Sequence, residues 1–156
     1  MADHPDFRQG FFILLRECFE GIPAGASGTW FVQGTEGLLD VFDSVSATKA
    51  SRKPSQQGSS IAAHMYHVLF ILKGANTYGG RPEPGGTWES SWDVQAVSEE
   101  EWKRLESDVR DEYEFFQGWV AQHSDWTNPD TTTGVLAQLP HLAYHLGAVR
   151  QLMALD

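Results

Sequence analysis

The sequence is short of cysteine and of long apolar runs, and both shortages exclude classes of protein. Cys18 is the only cysteine in 156 residues, so no disulfide can form within the chain. A single thiol suits a reducing compartment, and we expect it to fill the core, with catalysis as the less favoured alternative. No stretch approaches the ~20 apolar residues of a membrane span, and the opening MADHPDFRQG lacks the basic and apolar segments of a secretory signal. We therefore expect a cytoplasmic protein that does not engage a membrane.

Basic residues are also scarce. The chain has 11 Lys and Arg against 21 Asp and Glu, a formal net charge of -10 at pH 7. Such a charge repels the phosphate backbone of nucleic acids at long range unless a local basic patch exists. The densest basic run, Lys49, Arg52 and Lys53, lies among Ser and Pro in a segment typical of a loop. We therefore expect no nucleic-acid partner.

The alternation of apolar and polar residues that is typical of strands is absent, and apolar residues recur at intervals of three and four. The length suits one domain, 1–156, with a core of its own. We predict an all-α fold: a four-helix bundle with a short extra helix between helices 1 and 2 and a long crossover between helices 2 and 3. The predicted segments are 6–20, a short helix within 37–50, 61–78, a helix from 98 to near 123, and a last helix to the C-terminus.

The second and last long helices have distinct local signals. The second is apolar nearly all round, which indicates the centre of a bundle, and Ser59 or Ser60 is its predicted N-cap. Thr131 to Thr133 are the predicted caps of the last helix. Pro140 falls inside that helix, where it removes a hydrogen bond and predicts a kink or a fresh start just before His141.

The third long helix is predicted to be amphipathic. Ser98 and Glu101 have the spacing of a capping box. Acidic residues, Glu112 among them, occupy the side away from the apolar stripe, and we expect them to be solvated.

A connection rich in glycine and proline, residues 79–97, separates the second and third helices. It has few signals for a helix or a strand, and a connection of this length is uncommon in a compact domain unless it has a function. It is long enough to run the length of a bundle, so the two helices it joins could be parallel. We expect Trp88 and Trp92 to anchor it.

Four histidines lie on the two most apolar helices. His141 and His145 are four residues apart, a spacing that stacks side chains on one face of a helix, and His64 and His67 are three apart. A single histidine on an apolar helix is more often a hydrogen-bonded core residue than a ligand. Burying several unpaired imidazoles is costly, however, whereas a shared cation satisfies them together. Both interpretations remain open at this point.

The spacing excludes two familiar metal sites. A zincin needs Glu directly after the first histidine, and Leu142 stands there. Ferritin-like di-iron bundles need Glu three residues before each ligand histidine, whereas Gln138 and Leu142 precede His141 and His145.

Three segments together resemble the DinB/YfiT-like superfamily: SIAAHMYHVLFIL in the second long helix, GTWESSW in the connection, and HLAYHLGAVRQL in the last helix. The resemblance extends from the first helix to the end of the chain. It implies a four-helix bundle that holds a divalent metal with three histidines, and imidazole ligands suit Zn or Ni. The ligands it implies are His67 from the second long helix and the pair His141 and His145 from the last.

The resemblance implies a metal-dependent enzyme without fixing its substrate. Members include thiol-dependent transferases and proposed hydrolases, so the ion would activate a thiol or a water molecule. For hydrolysis, His64 is the candidate catalytic base; it could instead be a hydrogen-bond partner of one of the ligands or a rival ligand. The alternative is a non-catalytic helical bundle in which the ion is structural.

The expected partner is a small-molecule substrate, with a low-molecular-weight thiol as one candidate. A second copy of the chain is the other candidate partner. Trp30, Phe31 and Trp126 lie outside the clear helical stripes, so they could form a homodimer interface or pack within the monomer.

Overall fold

A computed structural model describes residues 7–26, 30 and 36–155 of the chain. Over these residues the protein has six α-helices and no β-strand, which confirms the all-α prediction. None of the helices in the described part is long and apolar enough to cross a membrane. The helices are α1 (Phe7–Glu20), α2 (Asp40–Ser44), α3 (Ala47–Ala50), α4 (Ile61–Asn76), α5 (Glu99–Gln122) and α6 (Pro129–Met153).

Helix α4 lies at the centre of the protein, as its apolar sequence predicts. Twelve of its 16 residues are buried, and it contacts both α5 and α6. Ser60, one of the two predicted caps, begins the helix, because its hydroxyl oxygen accepts a hydrogen bond from Ala63 N at 3.1 Å. A short 3-10 turn, Thr77–Gly79, follows its end.

Contacts at the two ends of α4 fix the direction of α5. At the start of α4, Ser60 forms two hydrogen bonds with Gln95, shortly before α5 begins. At its end, the Asn76 amide donates to the carbonyl of Glu112, in the middle of α5, at 2.8 Å. The two helices therefore run parallel. The connection that joins them, residues 80–98, returns along the molecule, as its length predicts.

Helix α6 runs antiparallel to α4. Near the end of α4, the Tyr78 ring lies so close to Gly134 that a Cβ atom there would meet it. Near the start of α4, His64 contacts His145, about three turns further along α6. This opposed order brings the histidines of the two helices to one level.

Helices α1 and α5 complete the core with aromatic side chains. Phe19 stacks on Tyr113 with ring centroids 4.1 Å apart, and the Tyr113 hydroxyl donates to the Glu20 carboxylate at 2.7 Å. The capping box of Ser98 and Glu101 is present as predicted. The predicted inner face of α5 is buried throughout: Trp102, Leu105, Val109, Tyr113, Phe116 and Val120.

The predicted cap of α6 is wrong. The helix begins at Pro129, and Asn128 caps it by accepting hydrogen bonds from the backbone amides of Asp130 and Thr131 at 2.9 and 3.3 Å. Asparagine is among the best N-caps, and proline suits the first helical position because its missing N–H is not needed there. This Asn-Pro pair therefore starts the helix before Thr131–Thr133, which lie inside it.

Two further boundaries differ from the predictions. Helix α6 continues through Pro140, which excludes a fresh start there and leaves the kink, the other alternative, as a prediction. The helix can continue because a proline removes only one hydrogen bond and Leu142 and Leu146 are buried in the core just beyond it. The segment 37–50 forms two short helices rather than one. Ser46 separates them, because its side chain accepts a hydrogen bond from Lys49 N at 3.2 Å and so caps α3.

The structure shows the environments of Cys18, Trp126 and Trp30. Cys18 is fully buried, and burial, with the negative charge of Glu17, raises the pKa of its thiol to about 12, so it fills the core in its protonated form. Trp126 is partly buried and packs against the core, whereas Trp30 is 76% exposed. Phe31 lies outside the described residues.

Glu112, expected on the solvated face of α5, is instead buried. Its carboxylate accepts hydrogen bonds from Asn76 Nδ2 at 2.6 Å and from Arg81 Nη1 at 3.1 Å. Asn76 is itself fully buried, and Trp119 Nε1 donates to its Oδ1 at 2.9 Å. Glu112 therefore links α5 both to the end of α4 and to the start of the connection.

We expect Glu112→Ala to lower the free energy of unfolding by about 2 kcal/mol, because it leaves the Asn76 amide buried without its charged acceptor. Chemical denaturation of the purified protein measures this. Glu114→Ala, an exposed acid two residues further along the same helix, is the matched control and should change stability by less than about 0.5 kcal/mol. Equal effects of the two substitutions would contradict the proposed role of Glu112.

Candidate metal centre

Three histidines from two antiparallel helices form a nearly equilateral triangle. The ring centroids of His67 and His141 are 5.2 Å apart, those of His67 and His145 5.1 Å, and those of His141 and His145 5.0 Å. His67 and His145 are fully buried, and His141 is half-buried. The His141 corner of the triangle is therefore the one nearest to solvent.

The three rings lie close enough to bind one metal ion. One ring nitrogen from each can be chosen so that all three lie within 4.8 Å of one another. Nitrogens bound to one tetrahedral zinc ion are about 3.4 Å apart. The three rings therefore lie near the separation that one shared ion requires.

Two of these histidines have a buried ring nitrogen without a partner. Nε2 of His67 and Nε2 of His145 are inaccessible to solvent and have no hydrogen-bond partner within the described part of the chain. A buried polar atom without a partner costs free energy, and native proteins seldom leave one unsatisfied. A shared cation would satisfy both atoms, so the residues present fit a metal.

The other ring nitrogen of each buried histidine is hydrogen-bonded. Nδ1 of His67 lies 2.6 Å from Ser91 Oγ, and Nδ1 of His145 lies 3.0 Å from Nδ1 of His64. Ligand histidines in metal sites nearly always use their second nitrogen in this way. The hydrogen bonds leave Nε2 as the nitrogen of each ring that is available to a metal.

The two tryptophans of the connection pack directly on the histidines. The Trp92 indole is stacked on His67, with centroids 4.2 Å apart and planes 20° apart, and it also lies against His145. Trp88 meets His67 edge-on at 4.6 Å and contacts His141 at 5.4 Å. The prediction that these tryptophans anchor the connection is therefore confirmed, and the anchor point is the histidine cluster itself.

The surroundings keep these imidazoles neutral. Burial lowers the pKa of His64, His67, His141 and His145 below the ordinary value of 6.5. The pKa of His67 falls to about 4 and that of His145 to about 2, because repulsion from neighbouring histidines adds to the effect of burial. Metal binding requires neutral imidazole, so the cluster is in its ligating form at neutral pH.

His64 lies beside this triangle and contacts one of its corners. It is buried, and its Nδ1 faces His145. A neutral imidazole has one N–H and one lone pair. If His145 ligates through Nε2, its Nδ1–H donates to His64, which then carries its own proton on Nε2 and has no free lone pair. The predicted role of His64 as a base therefore requires this hydrogen bond to break, whereas a role in orienting His145 does not.

Sequence analysis missed the contact of Ser91 with His67. The available signal was its position in GTWESSW, between two tryptophans that were expected to touch the helices. A serine has no spacing rule that would single it out.

Comparisons of the chain with protein-family models, with curated proteins and with solved structures found no match. The resemblance to the DinB/YfiT-like superfamily therefore stays a prediction from the motifs. The geometry of the three histidines stands independently of it.

The lowered pKa values predict that the metal-free protein loses stability as the pH falls from 6.5 towards about 4. The unfolded chain, whose histidines have ordinary pKa values, binds protons in this range before the folded chain does, so protonation favours unfolding. Urea denaturation at several pH values, in the presence of a chelator, measures the slope. His67→Gln should make it shallower, since His64, His141 and His145 still contribute, and an unchanged slope in that variant would contradict the prediction.

Proposed function

We propose that the chain is a divalent-metal-binding protein with His67, His141 and His145 as ligands, and that it is a metal-dependent enzyme. The observation that carries the proposal is the pair of buried, unpartnered Nε2 atoms beside a third imidazole. Three neutral nitrogen ligands suit Zn or Ni. They also match the pattern of catalytic zinc sites, in which three protein ligands leave one position for substrate.

We further propose that the fold is a four-helix bundle of the DinB/YfiT-like type. The four long helices α1, α4, α5 and α6 contribute to one core. A long connection joins the parallel pair α4 and α5, and the three histidines come from α4 and α6. These features support the resemblance carried by the sequence motifs.

A divalent ion held by three neutral imidazoles would act as a Lewis acid and lower the pKa of a water molecule or thiol bound to it. The partly buried His141 and Trp88, which is 53% exposed, mark the side from which a small molecule would approach. Activation of water would be helped by a base, and His64, the candidate, is hydrogen-bonded to His145. A thiol is a stronger acid than water, so its activation would depend less on a neighbouring base.

A cavity of about 300 Å³ lies near His67, although none of the three histidines lines it. Its walls include Ser91 and Phe70, both of which contact the His67 ring. Lys73 and Asp108 give it one cation and one anion. Because neither His141 nor Trp88 lines it, this cavity does not distinguish a catalytic ion from a structural one.

The second candidate function is a non-catalytic protein in which the ion joins two helices. The full burial of His67 and His145, with the Trp92 indole stacked on His67, favours it. Such an ion would contribute its binding free energy directly to folding.

Replacing both His141 and His145 with Ala should abolish bound metal, because one imidazole remains. Elemental analysis of the purified, metal-loaded protein measures this. His123→Ala is the matched control: this histidine bonds to the carbonyl of Asp125, away from the triangle, and the variant should keep its metal. Unchanged metal content in the double variant would refute the ligand assignment.

Cobalt substitution tests for an open coordination position that a thiol can occupy. If one coordination position is open, adding a low-molecular-weight thiol such as glutathione or cysteine to the Co²⁺-loaded protein should produce a sulfur-to-cobalt charge-transfer band in the near ultraviolet. A structural ion with four protein ligands has no such position. An unchanged spectrum at saturating thiol would contradict thiol activation.

A further inference from the structure

We propose that Ser91 is a positioning residue that holds His67 with its proton on Nδ1 and its lone pair on Nε2, facing the other two ligands. This inference rests on the proposed metal site and assigns a role outside its ligand set. Ser91 Oγ lies 2.6 Å from His67 Nδ1 and 2.6 Å from the carbonyl oxygen of Trp88.

The proton positions follow from the two partners of Ser91. A serine hydroxyl has one hydrogen to donate, and a carbonyl oxygen can only accept. The hydrogen of Ser91 therefore goes to the Trp88 carbonyl. The contact with His67 must then run the other way, with Nδ1–H of the ring as donor. A neutral His67 that donates from Nδ1 has its lone pair on Nε2, which is the buried atom without a partner.

The connection holds Ser91 in place. Ser91 belongs to a 3-10 turn, Ser90–Trp92, and the backbone N–H of Ser91 donates to the carbonyl of Thr87 at 3.0 Å. Trp92, the next residue, stacks on the face of the His67 ring. The ring is thus fixed at its edge by Ser91 and on its face by Trp92. The orientation of a ligand on α4 is therefore set by the connection between α4 and α5.

A neighbouring serine in the same turn serves as a control. Ser90 Oγ accepts from Thr87 N at 2.8 Å and donates to the Thr87 carbonyl at 3.2 Å, so its hydrogen bonds are local to the turn. Ser90→Ala weakens the turn but leaves the contact with His67. Ser91→Ala removes that contact, and Ser91→Thr keeps a hydroxyl at the same position.

The first experiment measures Zn²⁺ affinity of the full chain by competition with a chromophoric chelator. Loss of the partner of a ligand histidine typically weakens metal binding by about 10- to 100-fold. We expect a loss in this range for Ser91→Ala, and affinities close to wild type for Ser91→Thr and Ser90→Ala. Wild-type affinity in Ser91→Ala, or an equal loss in Ser90→Ala, would overturn the proposal.

The second experiment reads the tautomer of His67 directly in the metal-free protein. Nitrogen-15 NMR distinguishes a protonated ring nitrogen from one with a lone pair. Wild type should show Nδ1–H and an unprotonated Nε2 for His67, and Ser91→Ala should lose this bias. A wild-type ring protonated on Nε2 would overturn the proposal even if zinc binds. A wild type that binds no zinc but shows Nδ1–H would refute the proposed function and leave the role of Ser91 standing.

Discussion

The buried imidazole nitrogens of His67 and His145 are the constraint on which the rest of the account depends. Each ring has one nitrogen bonded to a neighbouring side chain and one that is buried without a partner. Two such atoms in a core are destabilising unless something binds them. A metal ion would resolve the conflict, because it accepts lone pairs from several directions and requires the rings to be neutral, as burial already makes them.

The fold can be understood as the scaffold for this cluster. Because α4 is buried on nearly all sides, its histidines are kept away from bulk water. Because α6 runs antiparallel to α4, its histidine pair lies at the same level as those of α4. In the connection between α4 and α5, Trp88, Trp92 and Ser91 contact the His67 ring. The segment with the least regular structure thus packs directly on the histidines.

Sequence patterns were informative where a single helix decides the outcome. The capping box at Ser98, the buried face of α5 and the pairing of His141 with His145 depend on spacing along one helix, and the structure has all three. Glu112 was misjudged because its burial depends on Asn76 and Arg81, which come from other parts of the chain. The contact of Ser91 with His67 was not predicted for the same reason: it forms only when the connection folds against α4. The start of α6 is an exception, because here a local signal was misread. Asn128 and Pro129 mark the start of the helix, but the three threonines that follow also suit an N-cap and were preferred.

The central claim is that one ion joins His67, His141 and His145, and a crystal structure of the zinc-loaded protein tests it most directly. Data collected on either side of the zinc absorption edge locate the metal without reference to any assumed ligand. The account predicts one anomalous peak within the triangle, about 2.0–2.1 Å from Nε2 of His67, Nε2 of His145 and a ring nitrogen of His141. A peak elsewhere, or well-ordered rings with no peak between them, would contradict it.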